Sequence, residues 1–200
     1  MAKRDAETEE SPLTLVDLEA MTESSGEAWA LPHVRRVRHL AAIIGTGLDY
    51  DAHALAVAAT LHDWGAFARY RQTGVDHGLR SAQIAEAEIL PRMALTPLQI
   101  RRILAAIELH DYRDPRPPAG PEALLLREAD FLDFLGVIGL AREFAWGPND
   151  LAGCLRRLVA RRDALRDRFT LPRAREIAVE RLARLEQCLA WLEEESLGWL

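Results

Sequence analysis

The sequence predicts an all-α protein, a single-domain helical bundle that ends in a helical hairpin. Three observations carry that expectation. Apolar residues recur at helical spacing from about residue 12 to the end, with few runs of alternating β-branched residues. Helix start and stop signals punctuate that pattern at regular intervals. At 200 residues, 49% of them hydrophobic, the chain suits one domain that removes roughly 70% of its unfolded surface from water. The domain is expected over residues 12–200, with the charged residues 1–11 frayed.

The elements follow in order. Leu31, Pro32 and His33 open a segment with Val37, Leu40, Ala41 and Ile44 on one face, ending at Gly45 or Gly47. A second helix covers about 51–62, with Gly65 as its C-terminal cap. A third covers about 77–90 and is closed by Pro91. Thr96 and Gln99 then form a capping box with Pro97 at the first helical position. The helix that follows carries Ile100, Ile103, Leu104 and Ile107 on one face. Residues 111–121, DYRDPRPPAGP, read as a loop by proline content. Pro121 starts the most apolar stretch of the chain, which reads as one central helix. The last 50 residues form two amphipathic helices packed as a hairpin. One is striped by Leu151, Leu155, Leu158 and Leu165, the other by Ala178, Leu182, Leu185, Leu189 and Leu192. The second stripe is also a surface that a homodimer could use.

Composition excludes several functions. A net charge of −6 argues against a binder of nucleic-acid polymers or anionic membranes. Of the 25 basic residues only Lys3 is lysine, a bias that by itself says little about function. Two cysteines, Cys154 and Cys188, suit a reducing cytoplasm better than a disulfide scaffold. The polar start is neither a signal nor a transit peptide, and no run of about 18 apolar residues exists to span a membrane. There is no internal repeat and no low-complexity tract.

The six histidines fall unevenly. His39 shares a helix face with arginines and His53 begins a helix; neither suggests a role. His33, His62 and His110 each extend an apolar stripe, and His77 opens a helix. Singly, each reads as a core histidine with a hydrogen-bond partner; together they suggest helix ends that converge. Asp130 and Asp133 interrupt the most apolar stretch, three residues apart on one face. A buried carboxylate needs a cation, which is either a metal or Arg127. Neutral imidazoles and carboxylates together suit zinc, iron, manganese, nickel or cobalt. His33, His62, Asp63 and Asp130 would hold one ion, and His77 and His110 add enough donors for two.

These residues resemble the signature of the HD superfamily of metal-dependent phosphohydrolases: a histidine, an adjacent His-Asp pair, and a distant aspartate. Here they stand as HVRRV at 33–37, TLHDWG at 60–65 and EADFLD at 128–133. DHGLRSAQIAEAEIL at 76–90 and AAIELHDY at 105–112 are similar to the two extra histidine segments of members with larger sites. FLGVIGLAREFAWG at 134–147 and DRFTLPRAREIAVERL at 167–182 resemble one bacterial branch of the family, so the likeness covers roughly 30–195. It implies an HD-domain bundle that hydrolyses a small phosphate ester or nucleotide with metal-activated water. His62 and Asp63 are then catalytic as well as ligating, and Asp63 bridges if two ions bind. Asp133 is expected to orient a ligand histidine. Many members carry a lysine after the His-Asp pair where this chain has Trp64, Gly65 and Ala66; Arg36, Arg69 and Arg80 are the expected replacements on phosphate. The tyrosine-proline signature of the cyclic-dinucleotide branch is absent. Two other readings use the same residues. One is a mixed-valent di-iron oxygenase of the same fold; the other is a nucleotide-binding module without catalysis.

Overall fold

A computed structural model describes residues 11–147 and 150–199. The expected fraying of residues 1–11 lies, apart from Ser11, outside the described residues. No strand occurs among the described residues, and none of their helices is long and apolar enough to cross a membrane.

The first helix, α1 (Leu15–Ser25), starts at a capping box between Thr14 and Asp17. Helix α2 (Ala30–Ile44) buries His33, Val34, Val37, Leu40, Ala41 and Ile44 along one face, the stripe expected from the sequence, and ends at Gly45. Helix α3 (Ala52–Leu61) starts at Asp51, whose side chain accepts from the Ala54 N–H at 2.9 Å. Helix α4 (His77–Ile84) is capped by Asp76. Helix α5 (Pro97–Glu108) has the predicted Thr96–Gln99 box and Pro97. After the 111–121 loop come α6 (Pro121–Asp133), α7 (Gly136–Trp146), α8 (Leu151–Leu165) and α9 (Pro172–Glu195).

Helix α6 sits at the centre. It packs on α2, α3 and α5, and α5 in turn packs on α3 and α4. From Leu125 to Asp133 every residue of α6 is buried, with Leu125, Leu126, Phe131 and Leu132 in the shared core. Emptying the Phe131 site would cost about 3–5 kcal/mol. The crossing helices therefore aim one end of α2, α3 and α5 at the same stretch of α6.

Three expectations are corrected. The apolar stretch after Pro121 is two helices, because Gly136 takes φ 71°, a conformation glycine tolerates, and turns α7 away onto α9. Gly65 does not cap α3. It lies in a 3₁₀ turn, Trp64–Ala66, where a Cβ would stand 2.3 Å from the His77 carbonyl oxygen, so its smallness lets α4 approach. The predicted 77–90 helix is α-helical only to Ile84 and continues as a π turn (Ala85–Ile89) and a 3₁₀ turn containing Pro91. The C-terminal hairpin is present, but its arms rest mainly on α7 and leave a groove lined by Leu155, Val159, Leu189 and Ala190.

Candidate metal centre

Four histidines and two aspartates meet where α2, α3, α4, α5 and α6 converge. His33 comes from the first turn of α2, His62 from the end of α3, His77 from the start of α4 and His110 from just beyond α5. Asp130 comes from α6 and Asp63 follows His62. His33 and His62 are wholly buried, and His110 and Asp130 nearly so.

The Nδ1 atoms define the tautomers. His62 Nδ1 donates to the Ala59 carbonyl at 2.8 Å and His110 Nδ1 to the Ile107 carbonyl at 2.6 Å. His33 Nδ1 donates to Asp133 Oδ2 at 2.8 Å. These acceptors have no proton to give, so each neutral ring presents a bare Nε2 lone pair inward. His77 differs: its Nδ1 stands 3.5 Å from both Asp76 and Asp111.

The Nε2 atoms face one another in two pairs. His33 and His62 are 3.1 Å apart, as are His77 and His110. Asp63 stands between them. Its Oδ2 lies 3.4 Å from His33 and 3.5 Å from His62; its Oδ1 lies 3.5 Å from His77 and 3.6 Å from His110. Asp130 Oδ1 approaches His33 at 3.4 Å and His62 at 3.9 Å, yet it is buried and accepts no hydrogen bond.

Two facing lone pairs cannot bond each other; a proton or a cation must lie between them. Ligand atoms about 2.0–2.2 Å from one ion stand roughly 3.0–3.5 Å from each other, which is the spacing here. The orphaned Asp130 oxygen and the N/O donor set also fit a divalent transition metal. Groups His33–His62–Asp63, His62–His110–Asp130 and Asp63–His77–His110 each bring three ligand atoms within 4.8 Å of one another.

Protonation follows the same geometry. Burial pushes His62 down to about 3, against the pull of Asp63, so it is neutral. Burial opposes charge on His110 as well, but its close contact with the Asp63 carboxylate and the charges of Asp63 and Asp130 raise it to about 9. His33 is raised despite burial by its bonds to Asp133 and Asp63. Burial pushes Asp130 up to about 6, while the imidazoles carry Asp63 well below the usual carboxylate range in spite of burial. Without an ion His110 is therefore protonated near neutral pH and His33 takes up a proton more readily than a free imidazole, so metal binding to these rings would release protons.

Other expected residues fall elsewhere. Arg127 does not pair with Asp130; it donates to the Leu109 and Arg116 carbonyls and pins the loop after α5. Arg36 is bonded to Asp133, Arg80 Nε to the Tyr70 carbonyl, and Arg69 lies over the Tyr70 ring. Each arginine expected on phosphate thus has a partner within the chain. Trp64, which follows the His62-Asp63 pair, is buried, stacks on Tyr70 and donates to Thr22. His39 and His53 are exposed.

Sequence reasoning missed two contributors. Asp111 flanks His77 and is itself held by Arg113. Its signal was a second Leu-His-Asp tripeptide at 109–111, matching the one at 61–63. Arg142, in α7, reaches Asp133 at 2.6 Å. Nothing distinguished it from the other arginines.

Comparison with known proteins agrees with this architecture. The HD-domain family model matches residues 31–135. The uncharacterised protein YpgQ of Bacillus subtilis is 26% identical over 191 aligned positions, covering 88% of this chain and 87% of YpgQ. The crystal structure of YpgQ in complex with ADP matches with a TM-score of 0.69 and 22% identity, over 91% of this chain and 97% of that one. A predicted HD superfamily hydrolase from an uncultured Thermotogales bacterium matches with a TM-score of 0.66 and 23% identity, over 94% and 95%. Since the family model spans more than half of the sequence, including all six converging side chains, the chain belongs to the HD-domain family.

Proposed function

We propose that the protein is a metal-dependent phosphohydrolase acting on a small phosphate ester, with a nucleotide as the favoured substrate class. One observation carries the reading: Asp63 divides its two oxygens between two histidine pairs. A carboxylate so placed could serve two ions. His33, His62, Asp63 and Asp130 would hold one ion, and Asp63, His77 and His110 the other. A bound divalent transition metal supplies a Lewis acid and makes hydroxide available near neutral pH.

The chain's own groups do the rest. The Nδ1 bonds of His62 and His110 to carbonyls of their own helix ends fix both rings without help from distant side chains. Trp29 and Phe134 flank the His33 ring at 6.1 and 6.5 Å and keep water off that side. Arg69, which among the described residues only lies over the Tyr70 ring, keeps its expected role on the phosphate, whereas Arg36 is bonded to Asp133 and Arg80 to the Tyr70 carbonyl. The ADP bound by YpgQ supports a nucleotide as ligand.

The test is an assay of nucleotides and phosphate esters with manganese, iron, cobalt, nickel and zinc, paired with analysis of bound metal. Metal-dependent release of phosphate or pyrophosphate is expected. Protein that holds no metal and turns over none of these compounds would overturn the proposal.

A further inference from the structure

We infer that Arg36 and Arg142 are positioning residues: they clamp Asp133 so that its carboxylate aims the His33 imidazole into the metal centre. The inference rests on the metal-centre reading above and extends it to two side chains outside the ligand set.

Asp133 has no exposed surface, and its carboxylate is met by three cationic or polar groups. Arg36 donates through Nε to Oδ1 at 2.7 Å and through Nη2 to Oδ2 at 2.9 Å. Arg142 Nη1 donates to Oδ2 at 2.6 Å, and His33 Nδ1 to the same oxygen at 2.8 Å. An ionised carboxylate buried without such partners would cost several kcal/mol. The bidentate Arg36 fork also fixes the plane of the carboxylate, which a point charge would not. Arg36 lies one helical turn after His33, so α2 presents both side chains to the same carboxylate.

The second cation comes from another part of the molecule. Arg142 projects from α7 with its guanidinium 4.7 Å over the Phe134 ring, and Arg161 of α8 covers that ring at the same distance. Arg161 pairs at 2.9 Å with the buried Glu143, the neighbour of Arg142, and Arg157 pairs with it too. Arg181 of α9 donates at 2.6 Å to the Leu132 carbonyl, beside Asp133. The hairpin thus holds α7, α7 holds Asp133, and Asp133 holds His33.

His33 depends on this support in a way that His62 and His110 do not. His62 and His110 lean on carbonyls of their own chain three residues back, which no side-chain change removes. Removing the outer partner of a ligating histidine typically weakens metal affinity about 10–100-fold. The same loss is expected here when a clamping arginine is removed, although it touches neither metal nor substrate.

The experiment titrates Co²⁺ into the full-length wild type, Arg142→Gln and Arg142→Lys, following visible absorbance and heat, with circular dichroism as the folding control. Arg142→Gln should bind Co²⁺ about 10–100-fold more weakly at unchanged helix content, and Arg142→Lys should recover most of the loss. Zinc-loaded, ¹⁵N-labelled wild type should show His33 protonated at Nδ1, with that signal weakened in Arg142→Gln. If Arg142→Gln does not fold, Arg36→Gln, from the partly exposed side of the clamp, is read in the same way. Binding within about twofold of wild type by the folded arginine-to-glutamine variant would overturn the clamp. Failure of the wild type itself to bind Co²⁺ would instead overturn the metal-centre reading, and the clamp with it.

Discussion

Leu-His-Asp occurs at 61–63 and again at 109–111, and both copies end a helix whose buried face is aliphatic. The histidines behave alike. Each turns back so that Nδ1 donates to the carbonyl three residues earlier, and each sends Nε2 into the cluster. The aspartates do not. Asp63 faces inward and meets four imidazole nitrogens, whereas Asp111 turns to the His77 Nδ1 and is taken by Arg113 through its backbone N–H and its guanidinium. The helix end places the imidazole; the residues that follow place the carboxylate. After Asp63 the chain enters a 3₁₀ turn anchored by Trp64 on Thr22, and among the described residues no arginine pairs with the carboxylate. After Asp111 an arginine two residues on neutralises it. Only the first corner keeps its negative charge for an added cation.

Asp63→Asn should break the arrangement most. It replaces the carboxylate whose two oxygens face the two histidine pairs with a neutral amide. The proposed phosphohydrolase turnover should fall on the order of 10³-fold or more, as for loss of a central catalytic group, and the metal expected in purified wild type should be missing from the variant by elemental analysis. Turnover kept within a factor of about ten would show that the two pairs work without their common carboxylate.

Asp111→Asn should do much less. The His77 ring, 22% exposed, loses a neighbour 3.5 Å away and keeps Asp76 at the same distance. A loss of about tenfold in metal affinity, at the lower end for such partners, is expected. It should be confined to one ion: during dialysis against a chelator the His77–His110 side should empty before the fully buried His33–His62 side, leaving about one metal per chain. Simultaneous loss of both ions would make the two corners equivalent and sink the distinction. Equal losses from Asp111→Asn and Asp63→Asn would do the same.

The comparison also explains what could be read from the sequence. Helix starts were legible because capping is local: Thr96, Gln99 and Pro97 lie within four residues of each other, and the box forms as expected. The histidines were legible because each ends or opens an apolar stripe, and Asp130 because it interrupts one. The break at Gly136 was not, since a glycine in an apolar run reads as helix until the backbone needs a positive φ. Gly65 was misread because what it accommodates, the His77 carbonyl, comes from another helix. The partners of Asp133 and Asp111 were hidden for a related reason. In a chain so rich in arginine, which guanidinium meets which carboxylate is decided by packing between distant helices.

The smallest expected effect concerns how the helices bearing the two corners begin. Helix α3 starts at Asp51 and α5 at Thr96, and the two caps touch, because Gln99 Nε2 donates to Asp51 Oδ2 at 3.0 Å. The Ala54 N–H, foremost, and then the Gln99 amide hold the Asp51 carboxyl below its usual range, against the opposing effect of burial. A group whose pKa is lowered by folding stabilises the fold fully above its unfolded value of about 3.9, and loses that contribution as pH falls through the folded value. Asp51→Ala should therefore cost about 1 kcal/mol near neutral pH, and the gap from wild type should shrink below about pH 4. Thr96→Ala should cost a similar ~1 kcal/mol with no pH dependence of its own, because a hydroxyl does not titrate. Urea midpoints measured from neutral pH to about pH 3 separate the two. A constant gap for Asp51→Ala would mean that its carboxylate charge adds nothing to the start of α3.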